Sequence, residues 1–310
     1  MSPKCVELKP ESNRNYSIDL IKVVAVIFVL LFHYADHGVV DLYSVPYSLN
    51  WCVLALLKSG GAIGNSLFIL ITGYLSYGRQ KKNSNLLALY IEVLFYSITL
   101  GLIYMLYTGK ILAGKDLIRM VFPVTFNLYW YFSSYIVLFL LMPYIDVMMD
   151  NINRKQTRKL LIIGVLLFSL LPTFTTTQWL TNINNLFIMG VMYLIGYYIK
   201  KYNPKVSMIT CDIVLFLSVT FLLTTEIFLK LKTNLDPLYF AVNMNRTPLV
   251  VISLALFFIL LNKTPPTVFV KFFVLISKHA FGIYLIHIGW IRKIIYKDIF
   301  SNGGGYFIQT

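Results

Sequence analysis

The 310-residue chain has few charged side chains and little cysteine. Charged residues make up 13% of it, hydrophobic residues make up 58%, and the mean hydropathy is +0.72. Soluble domains usually carry about 25% charged residues, so this composition excludes an ordinary water-soluble protein and predicts an integral membrane protein. The three cysteines, Cys5, Cys52 and Cys211, are too few and too scattered for a disulfide framework or a zinc site.

Several common signatures of chemistry are also missing. The loops hold no nucleotide-cradling glycine motif and no metal-ligand set, and no serine lies in a nucleophile elbow. We find no fixed-period repeat, low-complexity tract or soluble domain, and the polar first fifteen residues do not resemble a cleavable signal peptide. We therefore expect one membrane domain, residues 18–299, between a cytoplasmic segment, residues 1–17, and a short tail, residues 300–310.

Long uncharged runs predict an all-α fold, a polytopic bundle of transmembrane helices. A hydrocarbon core about 30 Å thick needs roughly 20 apolar residues per helix, because no backbone polar group can stay unpaired in lipid. Eight spans and a weaker ninth are predicted at Ile18–Asp36, Ser59–Gly78, Leu86–Thr108, Leu128–Met149, the two halves of Leu160–Ile199, Ile213–Leu229, Thr247–Asn262 and His279–Ile291.

The net charge of +14 points to membrane topology rather than to nucleic acid, because the basic residues separate apolar runs and share no polar face. With the N-terminus in the cytoplasm, sixteen Lys and Arg residues lie in inside segments and ten in outside segments, with Lys22 uncounted. This bias predicts a cytoplasmic N-terminus, and we expect a multi-pass protein of the inner (plasma) membrane. Two outer loops are themselves basic, and either hold an anionic ligand or contact lipid headgroups.

The first span carries two polar residues, Lys22 and His33, on one helix face. They are eleven residues apart, which at about 100° per residue is three turns plus roughly 20°, and about 16 Å along the axis. Taken alone, Lys22 can snorkel to the headgroups and His33 can be an interfacial histidine bound to a neighbouring helix. Taken together, they suggest a general base at the end of a channel and a cation that receives phosphates at its mouth.

Two neighbours of His33 suggest further roles for its imidazole. Asp36 follows at i+3 and is placed to hold an imidazole N–H of His33. His37 follows at i+4, but a metal site built from His33 and His37 lacks a third local ligand, so we expect no metal.

The motif NYSIDLIKVVAVIFVLLFH, with a cation, ten residues and a histidine, resembles the opening signature of the acyltransferase-3 family of membrane acyltransferases. Three further segments are similar to family patterns and follow in the same order. These are Gly64–Leu75, with its Thr-Gly-Tyr, the aromatic Trp130–Ile145, and the late Tyr-Leu-x-His box in Ser277–His287. Together the four cover residues 14–290. Because the family commonly has about ten spans, the resemblance implies about nine or ten here, so that either the ninth helix closes the bundle or a terminal helix is missing.

This resemblance implies transfer of an acyl group, usually acetyl, from a cytoplasmic acyl-CoA to a hydroxyl of a surface polysaccharide or lipid-linked precursor. It implies that His33 is the essential histidine and Lys22 its paired cation. Arg79 and Lys82 loosely resemble an Arg-x-x-Arg pair after the second span. Tyr284 and His287 match the late box, where a role in shaping the pocket is expected.

Other polar and aromatic residues have both a functional and a structural reading. Glu92 and Glu226 are intramembrane acids that either orient substrate or bind backbone. Trp130 and Tyr135 either stack on a sugar or belong to the interfacial aromatic belt. The spacing of Gly60 and Gly64 predicts close helix packing.

We therefore expect a membrane O-acetyltransferase that uses acyl-CoA, above all acetyl-CoA, as donor substrate, without a permanently bound cofactor. Its expected partners are the lipid bilayer, the donor and a glycan acceptor, whereas the oligomeric state is open. The rival prediction is a glycan or solute exporter. Transport predicts broken helices, midplane acids and internal repeats, of which this sequence has little.

Overall fold

The computed structural model describes residues 14–38, 48–79, 83–175, 184–232, 238–292 and 294–299, which form helices and short connections without a strand. The predicted segment 1–17 lies mostly outside these residues, as does the whole of the tail 300–310. The helices are α1 Tyr16–His33, α2 Leu49–Ser76, α3 Asn83–Thr108, α4 Lys115–Val121, α5 Trp130–Asn151, α6 Arg154–Val165, α7 Leu171–Phe174, α8 Asn184–Tyr202, α9 Met208–Lys232, α10 Thr247–Leu261 and α11 Val270–Ile288. Short π-helical turns, Tyr34–Gly38, Leu166–Leu170 and Ile294–Ile299, extend α1, join α6 to α7, and follow α11.

Seven helical stretches among the described residues are long and apolar enough to cross a membrane. The apolar helix α10 is shorter, with 15 residues, and the mostly buried α8 has 19. Each of the nine predicted spans coincides with one of these helices, so the predicted all-α polytopic bundle is confirmed.

The largest differences are in two predicted spans that begin ten and nine residues after their helices do. The second was placed at Ser59–Gly78, whereas α2 begins at Leu49. The reason is Lys58, which ended the uncharged run but is 8% exposed inside α2, with its Nζ 3.1 Å from Asp36 Oδ1. The ninth was placed at His279–Ile291, whereas α11 runs from Val270 to Ile288 and includes two lysines.

Side-chain contacts fix the direction in which the helices run. Asp19 and His33 of α1 contact Ser277 and His287 of α11 in the same order, so these helices are parallel. We call the end of the bundle where α1 begins the near end, and the end where α1 finishes the far end. The sequence predicts that the near end is cytoplasmic.

Helix α2 runs antiparallel to α1 and packs against its backbone. A Cβ added at Gly60 would lie 2.6 Å from the carbonyl oxygen of Phe28, and one at Gly64 would lie 2.5 Å from that of Ala25. Small residues permit this close approach in membrane bundles, which confirms the predicted role of the glycine pair. The contact holds α1 in the core, with the face that bears Lys22 and His33 turned to the other helices.

A buried polar cluster joins three helices toward the near end. The hydroxyl of Tyr193 in α8 donates to Asp146 Oδ1 in α5 at 2.5 Å, and Ser76 of α2 donates to Oδ2 at 2.9 Å. A carboxylate in an apolar bundle must be paired in this way. The cluster therefore fixes the relative positions of α2, α5 and α8.

The glycine contact predicts a stability difference between two matched substitutions. Gly64→Ala forces a methyl group against the α1 backbone and should lower the free energy of unfolding by about 1–3 kcal/mol. Gly190→Ala, where an added Cβ meets nothing within 4 Å, should be neutral or stabilise α8 by up to about 1 kcal/mol. Unfolding followed by tryptophan fluorescence in one detergent measures both variants, and equal shifts would contradict this packing.

Candidate active site

At the near end, the first turn of α1 carries a buried carboxylate. Arg14 clamps Asp19 in two contacts of 2.7 Å and 2.9 Å, and Ser277 Oγ donates to Asp19 at 2.5 Å. Asn15 caps the helix by accepting the N–H of Ser17 at 3.0 Å. These contacts fix the start of α1 against α11, and Lys22 follows one turn later.

Lys22 lines a cavity of about 270 Å³, which we call the lysine cavity. A second lysine, Lys278 of α11, also lines this cavity, and most of the other lining residues are aromatic or aliphatic. Its polar and aromatic lining includes Lys22, Lys278, Asn65, Tyr131, Tyr135 and Tyr284. The cavity therefore combines two cations at one end of the bundle with an apolar passage.

His33 lines a second cavity of about 330 Å³, which we call the histidine cavity. Three asparagine side chains and an indole surround it, contributed by α2, α5, α8 and the turn before α10. Its polar and aromatic lining comprises His33, Asn65, Asn185, Asn243, Phe32, Trp130 and Tyr284. Carboxamides both donate and accept hydrogen bonds, so this lining suits a neutral, hydroxyl-rich molecule.

The two cavities adjoin at Asn65 and Tyr284, which line both. Lys22 and His33 therefore project from α1 into neighbouring spaces about 16 Å apart along the helix. The sequence predicted one continuous channel, and the structure has two compartments that share these two side chains. Movement of Tyr284 or Asn65 would join them.

The imidazole of His33 packs against a second histidine of α11. The rings of His33 and His287 meet edge to face with centroids 4.9 Å apart. His287 Nδ1 lies 2.8 Å from the carbonyl oxygen of Ile283, and because a carbonyl only accepts, this nitrogen carries the proton. That leaves His287 Nε2 as an acceptor, and neither it nor His33 Nδ1 has a hydrogen-bond partner among the described residues.

Asp36 lies one turn beyond His33 and pairs with other groups. Its Oδ1 lies 3.1 Å from Lys58 Nζ and its Oδ2 lies 3.4 Å from Nδ1 of His37. The carboxylate that we expected beside the His33 imidazole thus neutralises a lysine of α2. Among the described residues, no group of three His, Cys, Asp or Glu side chains is arranged to hold a metal ion.

A comparison with protein families covers the part of the chain that carries Lys22, His33 and His287. The family model described as acyltransferase domain, Acyl_transf_3, matches residues 15–308, essentially the whole chain. The chain belongs to the acyltransferase-3 family. No curated protein and no solved structure gives a significant match. The family match confirms the resemblance seen in the sequence and supports acyl transfer as the general activity.

The structure brings most of the predicted site residues of this acyltransferase together. Trp130 lines the histidine cavity, Tyr135 lines the lysine cavity and Tyr284 lines both. Arg79 is exposed just after α2 and lines neither cavity. Lys82 lies outside the described residues.

Two predicted intramembrane acids lie away from these cavities. Glu92 of α3 is partly buried within electrostatic range of His279 on α11, and lines neither cavity. Glu226 is fully buried and accepts the backbone N–H of Phe240 at 2.9 Å. The contact of Glu226 fits its structural reading, a carboxylate that binds backbone.

Sequence reasoning missed several lining residues of this acyltransferase. Asn65, Asn185 and Asn243 come from distant segments and carry no shared motif, so only the packed bundle brings them together. Lys278 lies one residue before the predicted ninth span, His279–Ile291, and was therefore assigned to a cytoplasmic segment. Sequence reasoning also missed Asp19, which lines neither cavity but fixes α1 to α11. Its position could have been noticed, because it precedes Lys22 by three residues and therefore shares its helix face.

Proposed function

We propose that this acyltransferase moves an acetyl group from cytoplasmic acetyl-CoA to a hydroxyl of a surface polysaccharide or a lipid-linked glycan, in the inner plasma membrane. The observation that carries the proposal is the adjoining pair of cavities, one with His33 among carboxamides and the other with Lys22 and Lys278. A donor that enters at the near end meets an acceptor at His33.

The lysine cavity suits the donor in charge and shape. The ammonium groups of Lys22 and Lys278 provide point charges for the phosphates of CoA. The apolar and aromatic walls beyond them suit the thin pantetheine arm. This arm would pass between Asn65 and Tyr284 and present its thioester to the histidine cavity.

The histidine cavity suits a sugar. Carboxamides of Asn65, Asn185 and Asn243 can hydrogen-bond hydroxyl groups as both donors and acceptors. The indole of Trp130 offers a flat apolar surface for a sugar face. With the N-terminus inside, this cavity lies toward the outer side of the membrane, where surface glycans are found.

In the proposed reaction His33 acts as a general base. It takes the proton of the acceptor hydroxyl while the oxygen attacks the thioester carbonyl carbon. The tetrahedral intermediate then breaks its carbon–sulfur bond. The CoA thiolate takes the proton from His33, so that the enzyme returns to its starting state and the products are the ester and CoA.

His287 acts in this proposal as a positioning residue. Its acceptor nitrogen, Nε2, lies on a ring in edge contact with His33. A hydrogen bond from His33 Nδ1–H to this nitrogen would leave the lone pair of His33 on Nε2. A fixed tautomer and ring orientation of this kind is what a general base requires.

The central test is His33→Gln, measured by CoA release from acetyl-CoA with purified protein and by mass spectrometry of surface glycans. Loss of the base should lower the rate by about 10²–10⁴-fold. His279→Gln, on an exposed face of α11, is the matched control and should keep wild-type activity. Undiminished acetylation in the His33 variant, or glycan export without CoA release, would contradict the proposal.

The role of Lys22 and Lys278 predicts an effect on donor binding. Lys22→Met and Lys278→Met should each raise the KM for acetyl-CoA about tenfold or more with a smaller change in kcat, because a charge-assisted contact to phosphate is lost. Lys271→Met, an exposed lysine on the same helix, should leave KM unchanged. A fall in kcat alone would assign these lysines another role.

The positioning role of His287 predicts a rescue pattern. His287→Phe keeps an aromatic ring but removes the acceptor, and should lower kcat about tenfold with little change in KM. His287→Gln supplies a carbonyl acceptor and should recover part of that loss. Equal kcat values in the two variants, at equal protein levels, would show that His287 only fills space.

A further inference from the structure

A third polar cavity at the far end plays no part in the reaction described above. It has a volume of about 380 Å³ and is built by the end of α3, by α4, by the turn before α5 and by the residues after α11. Its polar and aromatic lining comprises Arg119, Arg292, Asn127, Asp116, Trp290 and Tyr104. We call it the arginine cavity.

Hydrogen-bond donors outnumber acceptors in this cavity. Arg119 and Arg292 contribute guanidinium groups, and the indole Nε1–H of Trp290 is buried without a partner among the described residues. A guanidinium and an indole N–H can only donate. An oxyanion with several acceptor oxygens would satisfy these groups together.

The charge of the cavity is only partly neutralised from within. Nη1 of Arg119 lies 3.9 Å from Oδ1 of Asp116, and both side chains are about half exposed. Exposed ion pairs of this kind contribute little to stability. Arg292 is partly buried and forms no ion pair with any described residue. The cavity therefore keeps a net positive charge with two fork-shaped donors.

The arginine cavity adjoins the histidine cavity, because Ile288 lines both. Arg292 also lies close enough to His33 for its charge to act on the imidazole. A molecule with a hydroxyl at His33 thus has a positively charged neighbour within its reach. Lys110 and Lys115, two basic residues near the start of α4, are exposed and do not line the cavity.

We propose that the arginine cavity binds an acidic group of the acceptor glycan, a carboxylate or a phosphate, while the sugar hydroxyl lies at His33. This inference rests on the proposed function and adds to it that the acceptor is anionic. Guanidinium forks recognise both groups in two-pronged contacts. A lipid phosphate has the same chemistry, and the experiment separates the two sources.

Binding without acyl transfer tests this directly. Wild-type protein in nanodiscs of zwitterionic phosphatidylcholine is titrated with methyl glucuronide, glucose 1-phosphate and neutral methyl glucoside, and binding is followed by tryptophan fluorescence. The two acidic sugars should bind at least about tenfold more tightly than the neutral one. Arg292→Gln and Arg119→Gln should each weaken acidic-sugar binding by about ten- to hundredfold and leave the neutral sugar unaffected.

Matched controls separate binding from folding. Lys115→Gln lies on the same short helix as Arg119 and should bind all three sugars as wild type does. Arg292→Lys should restore part of the affinity lost in Arg292→Gln, and unchanged binding of the neutral sugar shows that the Gln variant is folded. These experiments measure binding alone, so a failure here leaves the acyl-transfer proposal standing, because that proposal is tested separately by CoA release from wild type and His33→Gln.

Two results would overturn the inference. In the first, the Arg variants bind the acidic sugars as tightly as wild type. In the second, the wild type shows no preference for acidic sugars, whereas nanodiscs with phosphatidylglycerol change the fluorescence of wild type but not of Arg292→Gln. The cavity would then hold a lipid headgroup.

Discussion

The site depends on one constraint, the burial of α1 between α2 and α11 with its polar face turned inward. A polar side chain inside an apolar bundle is stable only when it meets a partner or a hydrated cavity. The glycines of α2 allow α1 to approach closely, and Asp19 fixes its start to α11 through Ser277. Lys22 and His33 then face two adjoining cavities.

The same constraint explains why each polar group on α1 has a different environment. Asp19 is paired with Arg14, and Asp36 with Lys58 and His37, so these carboxylates are neutralised within the protein. Among the described residues His33 has no such counter-charge and packs against the ring of His287, which leaves it available as a base. The two carboxylates with ion-pair partners therefore have structural roles, whereas the histidine without one is left for chemistry.

Much of this arrangement could be predicted from local sequence. Helix periodicity places Lys22 and His33 on one face and explains the spacing of the glycine pair. The positions of most spans follow from uncharged runs. The start of α2 was missed because Lys58, a charge that usually ends a span, is buried against Asp36. That partner becomes visible only after the helices pack.

The residues that line the cavities could not be predicted from local sequence for a related reason. Asn65, Asn185 and Asn243 belong to segments far apart in the chain, and a single asparagine in an apolar helix has no distinguishing pattern. Their convergence requires the antiparallel packing of several helices. The resemblance predicted only that His287 helps to shape the pocket, whereas its edge contact with His33 requires α1 and α11 to run in parallel.

The most direct test is a structure of the protein with a non-hydrolysable acetyl-CoA analogue in a lipid nanodisc. The account predicts phosphates at Lys22 and Lys278, a pantetheine arm that passes between Asn65 and Tyr284, and the acetyl group beside His33. An analogue bound on the outside of the bundle, or one confined to the lysine cavity with Asn65 and Tyr284 still closing the passage, would contradict it.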